Sequence, residues 1–188
     1  MTAITRRGVL ATGAASALTL AAPPVLAALP ARADPLVGPD RIWMCLAGRD
    51  EELIETLKHE TKTAAAQALG RIFWFFRDWK SNDRAHWIDT DLIHVLSRIQ
   101  IKASKRLGRE ARITLISGYR TPERNRRLKG AAPNSFHIHG RAADIRILGL
   151  SSRRLAALAR DLGAGGVGTY PRSGFVHIDT GPRRNWRG

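Results

Sequence analysis

Two late segments of the chain alternate so regularly that they leave little choice of fold. In RAADIRI (141–147), Ala143, Ile145 and Ile147 fall on one face of an extended chain, and Ala142, Asp144 and Arg146 on the other. In GFVHIDT (174–180), Val176 and Ile178 share one face, while Phe175, His177 and Asp179 share the other. Each segment is a strand with an apolar side for a core and a side that presents polar, metal-ligating groups. If the two strands are neighbours, Asp144 and His177 converge. His137, before the bend at Gly140, reaches the same point from a loop.

The rest of the chain supplies what such strands pack against. RIWMCLAGRDEELIETLKHE reads as a hairpin turning at Ala47–Asp50. Apolar residues from Ala64 to Phe76 recur at helical spacing, predicting a helix over 63–78. Asp89-Thr90-Asp91 opens a second helix that ends near Leu107-Gly108. ARITLIS (111–117) predicts a strand, Thr121-Pro122-Glu123 a short helix, and Ser151-Ser152 the cap of a helix carrying Leu155, Leu158 and Leu162. Two last strands cover 167–170 and 174–180. Helices come early and strands late, without a βαβ rhythm. The expected class is α+β, an antiparallel sheet with helices packed on one side.

The first 33 residues have a different character. A basic start, Thr5-Arg6-Arg7, precedes an Ala-rich apolar stretch and the small-x-small site Ala31-Arg32-Ala33. That is the layout of an export signal, and the twin arginine points to the bacterial twin-arginine route, with the periplasm or cell envelope as destination. The same residues would also serve as an uncleaved membrane anchor. Residues 34–188 are then a single domain of about 155 residues, enough for a real core. Without Arg6, Arg7 and Arg32 it carries 28 basic and 16 acidic residues, net +12. Such a charge suits either an anionic partner or a merely soluble basic surface. Export argues against nucleic acid and leaves cell wall and lipid head groups as anionic candidates. The one cysteine, Cys45, excludes an internal disulfide and is expected to be a small buried residue.

Two imidazoles and a carboxylate leave a fourth coordination position open, the composition of a catalytic zinc site rather than a structural one. The bland alternative is a pair of hydrogen-bonded histidines. Other chemistries find no support. Gly163–Gly168 matches GxGxxG in letters, but follows a helix and leads into Tyr170-Pro171, the wrong context for a dinucleotide. There is no GxSxG nucleophile elbow, and His59-Glu60 lacks the second histidine of a zincin helix.

Ser135-x-His137-x-x-Gly140-x-Ala142-x-Asp144, preceded by Ser117-Gly118-Tyr119-Arg120-Thr121-Pro122 and followed by Gly174–Gly181, resembles the zinc peptidases that cut peptidoglycan stem peptides. These are the D-alanyl-D-alanine peptidase and hedgehog-fold group. Within it, Gly165–Pro171 and Arg184-x-Trp186 are most similar to the murein endopeptidase K branch. The resemblance spans about residues 40–187. It implies zinc held by His137, Asp144 and His177, an Arg120 that faces the scissile carbonyl, and substrate contacts from Ser135, Tyr119 and His139. It also implies an exported endopeptidase acting on peptide cross-links; the alternative is a non-catalytic wall- or zinc-binding module with the same fold. Many relatives carry an acidic residue three positions before the last zinc histidine, or a histidine two before it; here those positions are Gly174 and Phe175. Asp179, on the His177 face, is the expected general base or the group that orients the His177 ring, and His139 is the other candidate base.

Overall fold

A computed structural model describes residues 40–188; the export signal expected over residues 1–33 lies outside the described residues. The first strand, β1 (Arg41–Leu46), buries Ile42, Met44 and Leu46, and its partner β2 (Glu52–Thr56) buries Leu53. They form the expected hairpin, pairing antiparallel with Met44 opposite Leu53. Cys45 faces away from this core and is half-buried, its Sγ against the Thr114 hydroxyl, because alternation gives the inward places to its neighbours.

Helix α1 (Lys62–Phe75) starts at Thr61, whose side chain accepts from the Ala64 amide. It stops short of the expected residue 78. Arg77 turns inward to Asp83 and Glu51, and the Asp78 amide bonds to the Arg84 carbonyl, so the chain leaves the helical path. Helix α2 (Thr90–Leu107) is capped by Asp89 and ended by Gly108, whose φ of 64° a side-chain-bearing residue rarely adopts. Buried Gln100 on α2 bonds to both backbone groups of Trp43 and to the Ala111 carbonyl, tying the helix to the sheet without leaving its amide unpaired.

Strand β3 (Ile113–Ser117) follows, then α3 (Pro122–Arg127), a 3-10 turn at Phe136–His139, β4 (Ala142–Ile147), α4 (Ser152–Asp161), β5 (Gly166–Tyr170), β6 (Phe175–Asp179) and β7 (Arg184–Arg187). The seven strands lie in the order β2-β1-β3-β4-β6-β5-β7. The α+β class is as expected, with a mixed sheet. Four pairings are antiparallel, and β1–β3 and β5–β7 are parallel. A parallel pair needs a long crossover. For β1–β3 the stretch containing α1 and α2 supplies it. Residues of α1, α2 and α4 join the inward residues of the sheet in one apolar cluster, where Ile72, Leu92, Leu96, Ile99, Ile113, Leu115, Ile145 and Leu155 are almost fully buried. Each such side chain contributes about 1.5–3 kcal/mol by burial. This anchors β3, β4 and β6 at the middle of the sheet, where the polar residues of β4 and β6 project.

Candidate metal centre

Strands β4 and β6 pair antiparallel with Asp144 directly opposite His177. His137 arrives from the 3-10 turn. Ser135 caps that turn, accepting from the His137 amide, and Gly140 ends it at φ 63°. A Cβ on Gly140 would lie 1.9 Å from the Trp87 carbonyl oxygen, so glycine is required there by both conformation and space. The turn is braced from α2. The Asp89 amide donates to the Gly140 carbonyl, while the Asp89 carboxylate accepts from Thr180 at the end of β6 and pairs with Arg141.

Three atoms meet at this junction. His137 Nε2 lies 3.2 Å from Asp144 Oδ1 and 3.2 Å from His177 Nδ1, and His177 Nδ1 lies 3.0 Å from the same carboxylate oxygen. The outer ring nitrogens fix the tautomers. His137 Nδ1–H donates to the Gly118 carbonyl at 2.7 Å, and His177 Nε2–H donates to Asp179 Oδ2 at 2.9 Å. In the neutral rings both inner nitrogens are lone-pair acceptors facing a third acceptor, an arrangement that suits a cation. Ligands about 2.0 Å from a tetrahedral zinc stand about 3.3 Å apart, so these separations fit that ion to within a few tenths of an ångström. Among the described residues no other group of three potential metal donors is this close, and no fourth protein donor joins this one.

The surroundings hold these three side chains in place. Asp179, almost fully buried, accepts from His177 and Arg184 on Oδ2, and from the Gly166 and Gly181 amides and Arg184 on Oδ1. Arg120 donates through Nε to Ser117 Oγ and through Nη2 to Asp144 Oδ2, the oxygen turned away from the imidazoles. Electrostatics follow from this packing. Burial pushes His137 below the ordinary imidazole range. Burial works against a charged His177 as well, but the hydrogen bonds that a protonated ring makes to Asp144 and Asp179 outweigh that and raise it. Burial also disfavours both carboxylates; His137, His177 and Arg120 nevertheless hold Asp144 well below its usual range, and His177 and Arg184 do the same for Asp179.

The junction forms the floor of a cleft of about 640 Å³, rimmed by Lys129, Ser135, Phe136, Tyr170, Arg184 and Trp186. Ser135 and Arg120 both line this cleft. Asp179 does not face the cleft as a base would; it sits behind the His177 ring, on the nitrogen opposite the one that faces His137 and Asp144. Tyr119 and His139 are corrections. Tyr119 is buried and stacks on His86 with ring centres 4.6 Å apart, because successive residues of an extended chain point oppositely and Arg120 takes the cleft side. His139 is exposed outside the cleft, since two residues apart in a 3-10 turn are about 240° apart. The sequence reading missed Tyr170, Arg184 and Trp186 as cleft residues. Their signal was the glycine at 168, where a Cβ would lie 2.4 Å from Trp186 Cε2: the strand is stripped so that an indole can lie on it.

Comparison with known proteins places the chain in a family. A family model described as peptidoglycan L,D-endopeptidase MepK matches residues 42–186. Over 124 residues the chain is 41% identical to the peptidoglycan L,D-endopeptidase MepK of Escherichia coli (strain K12), covering 64% of this chain and 65% of that protein. It is 40% identical over 125 residues to the probable peptidoglycan L,D-endopeptidase MepK of Haemophilus influenzae, covering 64% of each. The chain therefore spans a little under two thirds of the length of the curated relatives it matches. With nearly the whole described region inside the family model, the chain belongs to the peptidoglycan L,D-endopeptidase MepK family.

Proposed function

We propose that this protein is an exported, zinc-dependent murein endopeptidase that hydrolyses L,D peptide bonds in the cross-links between peptidoglycan stems. The observation that carries the reading is the meeting of His137 Nε2, Asp144 Oδ1 and His177 Nδ1 within 3.2 Å of one another at the floor of an open cleft. The names of the relatives supply the substrate class and the L,D bond type. The leader sequence supplies the twin-arginine route and the periplasm or envelope as location. No helix among the described residues is long and apolar enough to cross a membrane.

His137, Asp144 and His177 would hold the zinc, which when bound supplies a water acidified toward neutrality and a Lewis acid for the amide carbonyl. The Gly118 carbonyl and Asp179 keep both imidazoles in the tautomers that ligation requires. Arg120 steadies Asp144 through its outer oxygen and brings a permanent positive charge to the place where the scissile carbonyl oxygen turns anionic. Ser135 contributes a hydroxyl at the cleft edge, and Lys129 and Arg184 give the rim the charge that suits stem carboxylates. Asp179 works as an orienting group rather than a base.

The test is digestion of purified sacculi by zinc-loaded protein, with muropeptides inventoried by mass spectrometry. Wild type releases uncross-linked stems, a chelator abolishes the release, zinc restores it, and His177→Ala releases none. Equal release by wild type and His177→Ala would remove the metal mechanism, and binding without release would mark a non-catalytic wall-binding module.

A further inference from the structure

Tyr170 ends β5 inside the cleft that holds Arg120, His137, Asp144 and His177, and three neighbours fix its position. Phe175, its cross-strand partner, stacks on its ring with centroids 4.4 Å apart and planes 12° from parallel. Gly188 lies so close along the ring edge that a Cβ there would come within 2.4 Å of Tyr170 Cε1. The Trp186 indole donates to the Tyr170 hydroxyl oxygen at 2.9 Å. Trp186 is itself positioned, lying on Gly168 and 5.2 Å, centre to centre, from the His177 ring.

The chemistry of that last hydrogen bond sets the direction of the hydroxyl proton. An indole N–H can only donate, so the phenol oxygen must accept, and its own O–H is left to donate elsewhere. Among the described residues no acceptor takes that proton. An O–H that already accepts a hydrogen bond is also a stronger donor, because hydrogen bonds in a chain polarise one another. Arg120, the charged donor near the centre, spends Nε on Ser117 and one Nη2–H on Asp144, and its remaining N–H groups are left to act beside Tyr170. The Tyr170 hydroxyl is therefore a rigidly held, polarised neutral donor in the cleft whose lining also holds the three converging atoms.

We infer that Tyr170 is a catalytic residue whose hydroxyl donates a hydrogen bond to the scissile carbonyl oxygen as it acquires negative charge, and that Trp186 is the positioning residue that aims it. This rests on the peptidase reading above and adds to it. The contact strengthens as charge develops on the carbonyl oxygen, so its loss appears in kcat rather than KM. Removing one such donor is expected to lower kcat by about 10²–10³-fold.

The experiment compares zinc-loaded wild type, Tyr170→Phe, Trp186→Phe and the double variant on a soluble cross-linked muropeptide. Zinc affinity, thermal melting and binding of a phosphinate analogue of the scissile bond are measured alongside. Tyr170→Phe keeps the ring that Phe175 and Gly188 hold. It is expected to keep KM, zinc affinity and melting temperature, and to lose kcat and phosphinate affinity by similar factors. Trp186→Phe loses less, and the double variant loses no more than Tyr170→Phe, since Trp186 acts through Tyr170. A Tyr170→Phe enzyme with wild-type kcat, a loss confined to KM, or additive losses in the double variant overturns the inference and leaves the peptidase reading standing. A wild type that cleaves nothing overturns both.

Discussion

Replacing Asp179 by Asn changes one oxygen to an amide nitrogen and tests what that carboxylate does. Asp179 Oδ1 accepts from the Gly166 amide at 3.0 Å, the Gly181 amide at 2.8 Å and Arg184 Nη1 at 3.1 Å. The Asn oxygen will occupy that place, because three donors point at it. The amide nitrogen then faces Arg184 Nη2 and His177 Nε2, which now donate to Oδ2 at 2.6 and 2.9 Å. The amide N–H would oppose His177 Nε2–H, so the imidazole must give up that proton and carry it on Nδ1, the nitrogen that faces His137 and Asp144. A protonated Nδ1 cannot ligate. The expected cost is 10–100-fold in zinc affinity, or about 1.4–2.7 kcal/mol. Competition against a chromogenic chelator reads it directly, with turnover at saturating zinc measured in parallel. A base would behave differently: zinc affinity would stay at the wild-type value while turnover collapsed. That pair of results would refute the orienting role.

Three further expectations follow from the same contacts. Asp144 and Asp179 are held below the usual carboxylate range. Their contribution to the metal-free fold is present above the unfolded value of about 3.9 and is lost as pH falls toward the folded values, so denaturant melts should weaken from about pH 5 downward. A pH-independent melt over that range would contradict it. His137 and His177 are shifted in opposite directions, so their effects on metal-free stability oppose each other near neutrality. Gly140→Ala forces a side chain into left-handed backbone and against the Trp87 carbonyl. The strain alone is about 1–3 kcal/mol, visible as a lower melting temperature, and a wild-type melt would show that the turn relaxes freely. His137→Ala removes one of three ligand atoms and should abolish zinc retention through gel filtration; stoichiometric zinc in the variant would place the ion elsewhere.

The meeting of Asp144 and His177 was readable because strand alternation is strict. Once Ala143 and Ile145 must face the core, Asp144 cannot, and the same holds for His177 between Val176 and Ile178. The neighbouring of β4 and β6 was a condition in the sequence and is a pairing in the fold. What could not be read depended on direction or distance. Tyr119 and Arg120 are adjacent in sequence but point oppositely, and His139 shares a turn with His137 without sharing its face. The last strand, β7, was missed because RNWR carries no alternating apolar pattern. It forms because Gly166, Gly168 and the β5 backbone offer it an edge, a long-range condition that its own residues do not announce.

The brace at Asp89 has a wider consequence. Its side chain caps α2 while its amide and carboxylate hold Gly140 and Thr180, so the amino end of a helix that supplies no ligand sets the slack available to both imidazoles. The stiffness of the cleft floor is thereby coupled to a residue that touches none of the three converging atoms. Reshaping the groove should spare that corner and begin at the turn formed by Leu128–Ala131, where the Ala131 amide bonds to Leu128 and Asn125 tethers the Ala132 carbonyl, away from the strut.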